Sequence, residues 1–144
     1  MTWSYCCGDN KVILTTATLS DSRRLRTVNI SIIGTGNVGR ALGSALKHAG
    51  HDVTLAARDA RKTEETAREL GLQAAASARE AARNADIVIL AVPGDALESI
   101  AAEIDGGPAG PVLVDVTNRM QPDLTADSNA ERLQRATRAP VVKA

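Results

Sequence analysis

A run of mostly branched apolar residues, Val28-Asn29-Ile30-Ser31-Ile32-Ile33, leads directly into Gly34-Thr35-Gly36-Asn37-Val38-Gly39 and then into Arg40-Ala41-Leu42, with Ala45 and Leu46 following at helical spacing. Few folds can use such a stretch. The apolar run suits a buried strand, the glycines a turn with no room for side chains, and the Ala/Leu spacing a helix packed back onto that strand. In that arrangement Gly34 permits the tight turn, Gly36 lets backbone approach a pyrophosphate, and Gly39 allows close helix-strand packing. The unpaired N–H groups at the helix start then face the anion. Gly34, Thr35, Gly36, Asn37, Val38 and Gly39 are therefore candidate cofactor-binding residues, and the expected ligand is a dinucleotide.

The pattern that follows keeps alternating. Asp52 to Ala56 has the alternation and branching of a second strand, after a first helix expected to close near Ala49-Gly50 with Gly50 as its C-cap. Ala60 to Leu70 reads as an amphipathic helix stopped by Gly71, and Leu72 to Ala76 as a short third strand. Ser77 caps an expected helix from Ala78 to about Asn84. The nearly all-apolar stretch Asp86 to Val92 then has the character of a strand buried on both faces. Pro93-Gly94 ends it. A helix from Ala96 to Ile104, a turn from Gly106 to Pro111, a strand from Val112 to Val116, a helix from about Ser128 to Thr137 and an apolar strand near Val141 complete the series. The fold class expected is α/β: a doubly wound parallel sheet of the Rossmann type, cut short in its last strands, with ligands beyond the carboxyl ends of the strands. Residues 28–144 form the expected dinucleotide-binding domain. Residues 1–27, with a short strand at Lys11 to Thr16 and the basic run Arg23-Arg24-Leu25-Arg26, read as a loose N-terminal extension.

Composition narrows the function. The 144 residues carry 17 Lys plus Arg and 17 Asp plus Glu, so no net field draws the chain to nucleic acid or to an anionic membrane. The only aromatic residues, Trp3 and Tyr5, lie in the extension, which leaves the domain without a ring for stacking on bases. No apolar run is long enough to span a bilayer and no secretory core opens the chain, so a cytoplasmic location and small-molecule partners are expected. Adjacent Cys6 and Cys7 fit neither a metal site nor a disulfide framework.

The end of the second strand decides which dinucleotide. An NAD site typically places an acidic residue there, about 20 positions beyond the glycines, to hold the ribose 2′-hydroxyl. This chain has Ala57-Arg58 instead, and Lys62 one helical turn later. A guanidinium can pair with a 2′-phosphate through two hydrogen bonds, and the lysine adds a second cation, so the site suits NADP. Asp59 opposes this by charge unless it caps the helix that starts at Ala60. Val92 and Pro93 carry no proton-transfer group and read as shape along the nicotinamide ribose. Thr117 and Asn118 offer a hydroxyl and an amide either to a carboxamide or second substrate, or to a structural turn. His48 and His51 flank the end of the first helix that faces away from the nucleotide and read as capping groups. No residue is assigned a catalytic or metal-binding role, because hydride transfer between two bound rings needs positioning above all.

The words Ile-Ile-Gly-Thr-Gly-Asn-Val-Gly-Arg-Ala-Leu, Gly-His-Asp-Val-Thr-Leu-Ala-Ala-Arg-Asp, Ile-Leu-Ala-Val-Pro, Val-Asp-Val-Thr-Asn and Val-Val-Lys-Ala, in this order, cover nearly everything from Val28 onward. In them the chain resembles the NADP oxidoreductases that use the deazaflavin coenzyme F420. The resemblance implies hydride transfer between NADP and F420, with Thr35, Arg58 and Lys62 at the 2′-phosphate and Val92 and Pro93 along the cofactor. Ala57 stands where that family often has a small hydroxyl residue, which removes one phosphate hydrogen bond. The family's chains continue with further strands and a helical tail that helps form a homodimer and the deazaflavin pocket. This sequence accordingly reads as C-terminally shortened, able to bind NADP and poor at hydride transfer by itself. Two alternatives stay open: a non-catalytic NADP-binding module, and a fragment of an NADP-dependent imine or β-hydroxyacid reductase.

Overall fold

The computed structural model describes residues 27–104, 110–117 and 128–144. Residues 1–26, including the strand expected at Lys11 to Thr16, most of the expected Gly106 to Pro111 turn, and Asn118 lie outside the described residues.

Six parallel strands form one sheet in the order β3-β2-β1-β4-β5-β6. They are β1 (Asn29–Ile33), β2 (Asp52–Ala56), β3 (Gln73–Ala74), β4 (Ile87–Leu90), β5 (Val112–Asp115) and β6 (Val141–Lys143). Alternation along each strand sends side chains to two separate cores. Ile30 and Ile32, Val53 and Leu55, and Ile89 pack with Ala67, Leu42 and Leu46 under α1 (Asn37–His48) and α2 (Ala60–Leu70). Ile33, Ala56, Val88, Leu90 and Leu113 pack with Ala81, Leu97, Ala101 and Leu133 under α3 (Ala78–Ala82), α4 (Leu97–Ile104) and α5 (Asn129–Ala136). Helices thus cover both faces. Each fully buried Leu or Ile, such as Ile32, Leu55 or Leu113, contributes about 1.5 to 3 kcal/mol. The chain runs outward from β1 to β3 and returns to β4 on the other side of β1. This places the topological switch point between β1 and β4.

Local signals set several boundaries. Both β2 and α2 have the bounds their residues imply, and Gly71 ends α2 in a left-handed conformation with φ 64°. Elsewhere the elements are shorter than the patterns suggest, for identifiable reasons. α1 ends at His48 with Ala49 as its C-cap, and Gly50 (φ 89°) turns the chain one residue later. β3 pairs only at Gln73 and Ala74; the Ala75 N–H still donates to Leu55 O (2.8 Å), and the Ala76 N–H, on the open edge, donates to Glu80 Oε2 (2.8 Å). Ser77 does cap α3 through the Glu80 N–H. The helix stops at Ala82, where Arg83 and Ala85 make short three-residue bonds to Glu80 and Ala82. β4 is confined to Ile87–Leu90. A 3-10 turn at Gly94–Ala96 precedes α4, so that helix starts at Leu97. β5 ends at Asp115 rather than Val116, and Ser128 lies outside α5 as the N-cap of a capping box with Glu131. Among the described residues no helix is long and apolar enough to cross a membrane.

Candidate functional site

At the carboxyl end of β1 the chain turns through Gly34, whose φ of 123° favours glycine. A Cβ at Gly34 would collide with the Ala91 carbonyl oxygen, and one at Gly39 with the Gly34 carbonyl oxygen. Both glycines are therefore required by the protein's own packing. Gly36 is different: its φ is −74°, and a Cβ there would meet nothing within 4 Å. The space over Gly36 is open where a bound phosphate would approach.

The start of α1 is equally uncommitted. Gly36 is its N-cap and makes no side-chain cap, and no acidic residue sits in the first turn. By contrast α2, α3 and α5 are capped by Asp59, Ser77 and Ser128. A helix start leaves its first N–H groups without intrahelical partners, and its partial positive charge favours an anion. Asn37 and Val38, both exposed, and half-buried Thr35 border that start.

Three strand ends meet around this turn. The Gly34 N–H donates to Ala56 O at the end of β2 (2.8 Å), and the Ala91 N–H beyond β4 donates to Ile33 O (2.9 Å). Val92 Cγ1 lies 3.5 Å from the place a Gly34 Cβ would occupy. The β2 end carries Ala57 and then Arg58, and Lys62 follows in the first turn of α2; both cations are exposed. Among the described residues neither side chain has a hydrogen bond or ion pair, whereas Arg40 is tied to Glu69 (2.7 Å). Asp59 turns its carboxylate to the Lys62 N–H (3.1 Å), so it serves as the α2 cap.

Thr117 is only 6% exposed, and its hydroxyl is committed within the protein. It donates to Asp115 Oδ1 (2.6 Å) and accepts from Asn129 Nδ2 (2.8 Å). This is the structural-turn arrangement of the two open at that position. Asp115 is fully buried at the end of β5, with Lys143 Nζ 3.7 Å from its Oδ2. Asp115 and Lys143 fall within the words that carry the resemblance but were assigned no role, and Asn129 lies outside those words. One signal did exist, a carboxylate inside the otherwise apolar strand Val112-Leu113-Val114-Asp115-Val116.

The remaining polar candidates sit elsewhere. His48 Nδ1 lies 2.7 Å from Ser44 O in the last turn of α1, roughly 16 Å from the glycine turn at about 1.5 Å per residue. Among the described residues no cluster of His, Cys, Asp and Glu could hold a metal. Two concavities, of 670 Å³ near Asp86 and Pro111 and of 380 Å³ near Asn29 and Asp52, adjoin the amino ends of strands, opposite the turn. The candidate site is an open rim.

This rim joins an uncapped helix start, two cations without partners among the described residues, one just after β2 and one in the first turn of α2, and the Val92–Pro93 segment after β4. The family profile described as NADP oxidoreductase, coenzyme F420-dependent, matches residues 29–119. The chain belongs to this family. A protein of Arthrobacter sp. FB24 assigned as an F420-dependent NADP-reductase superposes with a TM-score of 0.64 at 30% identity, over 81% of this chain and 61% of that one. An imine reductase of Aspergillus terreus, solved with NADPH4, gives 0.66 at 26% identity, over 81% of this chain and 40% of its own. In sequence, a Methanocaldococcus jannaschii protein assigned as an arogenate/prephenate dehydrogenase is 36% identical over 93 residues, 63% of this chain and 21% of that protein. The chain therefore spans about a fifth of that curated relative, and less than two thirds of either solved one. The family and these solved neighbours are NADP-dependent oxidoreductases.

Proposed function

We propose that this F420-type oxidoreductase domain binds NADP in preference to NAD and presents its nicotinamide for hydride exchange with the deazaflavin coenzyme F420. The observation that carries the reading is the pairing of an uncapped glycine turn with two uncommitted cations, Arg58 and Lys62, at the end of β2. The first N–H groups of α1, around Asn37 and Val38, take the pyrophosphate, with Gly36 leaving room above them. Arg58 clamps the 2′-phosphate, Lys62 adds a second charge, and Thr35 offers a hydroxyl from the turn. Val92 and Pro93 set the surface along the nicotinamide ribose. When bound, the dinucleotide supplies or accepts the hydride. This chain's residues contribute position rather than proton transfer, which suits a partner that is itself a redox ring.

A C=N substrate is the second reading, favoured by the fold shared with an imine reductase solved with NADPH4. Absorbance of the deazaflavin during incubation with NADPH separates the two. Oxidation of NADPH matched by reduction of F420 supports the proposal. Oxidation by a cyclic imine without any by F420 would replace it.

A further inference from the structure

Behind the β4 rim runs a chain of polar groups, buried at Asp115, Thr117 and Asn129 and exposed at Lys143, that joins three elements. Asn129, the first residue of α5 and 4% exposed, donates from Nδ2 to Thr117 Oγ1 at 2.8 Å. The Thr117 hydroxyl donates to Asp115 Oδ1 at 2.6 Å, and the Thr117 N–H donates to the same oxygen at 2.8 Å. From β6, Lys143 Nζ donates to Thr117 O (2.7 Å) and Asp115 O (3.3 Å) and stands 3.7 Å from Asp115 Oδ2, which has no hydrogen-bond partner among the described residues. A fully buried carboxylate with one oxygen left unbonded is costly, and apolar side chains of similar size would pack there at less expense. What such a chain supplies is orientation. Thr117 spends its proton on Asp115, so it can only accept from Asn129, and this fixes which way the Asn129 amide faces.

That amide lies against Gly94. A Cβ at Gly94 would come within 2.9 Å of Asn129 Nδ2 and 3.3 Å of its Oδ1, while the Gly94 backbone itself has no positive φ. Gly94 directly follows Val92-Pro93, and Val92 in turn packs over Gly34. Contacts thus run from β6 through Asp115, Thr117 and Asn129 to the segment beside the glycine turn.

We propose that Asn129 is a positioning residue for the nicotinamide half of the cofactor: held by Thr117 and Asp115, its amide sets the height of the Val92–Gly94 segment. This rests on the NADP reading above. Binding of NADP and of 2′-phospho-ADP-ribose, which lacks the nicotinamide, is to be measured by calorimetry on the unaltered chain, Asn129→Ala, Gly94→Ala and the double variant, with thermal unfolding as a check on folding. The two single variants approach the same contact from opposite sides: Asn129→Ala removes the amide, and Gly94→Ala keeps it and presses a methyl group against it. Each is expected to weaken NADP about tenfold, the size of one hydrogen bond, and to leave 2′-phospho-ADP-ribose within about twofold. The double variant should lose no more than Asn129→Ala, since the shortened side chain makes room for the new methyl group. Equal losses for both ligands, or no loss for NADP in Gly94→Ala, would overturn the proposal. If the unaltered chain binds neither ligand, the NADP reading itself fails, a result distinct from either of those.

Discussion

In the reading proposed above, Arg58 is the residue on which cofactor choice turns. It is exposed, uncommitted, and placed where an NAD site would have a carboxylate. Arg58→Ala should weaken NADP binding by about 1.5 to 3 kcal/mol, the range for a hydrogen bond to a charged group, with little effect on NAD. Calorimetry with both cofactors checks this, and equal losses would remove the assignment. Arg58→Asp should go further and tilt the preference toward NAD, because repulsion of the phosphate is added to the lost attraction. Gly34 tests the turn itself. Gly34→Ala combines a φ of 123° with a collision at the Ala91 carbonyl. A loss of stability above about 1 kcal/mol is expected in urea unfolding. An unchanged midpoint would show that the turn can relax.

Among the elements, the contrast between α1 and α2 is the informative one. α2 spends Asp59 on its own N-terminus, and α1 keeps its N-terminus open. Asp59→Ala should therefore cost about 1 kcal/mol of stability, whereas Asp59→Asn, which can still cap, should cost little. Parallel losses in the two variants, followed by thermal denaturation, would mean that charge rather than capping is what Asp59 provides. The same elements show what was legible in the residues. β2 and α2 were readable to their ends because their signals are local, Asp59 before the helix and Gly71 after it. β3 and β4 were not, because a strand ends where its partner stops pairing, and that point leaves no mark in the pattern around Leu72. The glycine turn, Arg58 and Lys62 were legible as a candidate site. The chain from Asn129 to Lys143 was not, since its bonds join residues 12 and 26 positions apart. Its one local sign was the alternation of β5, which points Asp115 to the same buried side as Leu113.

For the whole molecule, sheet order rather than any single side chain locates the site. Strand order reverses between β1 and β4, so the ends of β1, β2 and β4 meet at one rim. The backbone bonds from Gly34 to Ala56 and from Ala91 to Ile33 hold them there. The two faces are sealed by separate aliphatic cores, and the uncapped start of α1 and exposed Arg58 and Lys62 follow the carboxyl ends of β1 and β2. The most direct test of the account is the affinity of the unaltered chain for NADPH and NADH, titrated by calorimetry at one ionic strength. Binding of NADPH more than about tenfold tighter than NADH, with the gap narrowing as salt is raised, is the expected result. Equal affinities, or tighter binding of NADH, would contradict it.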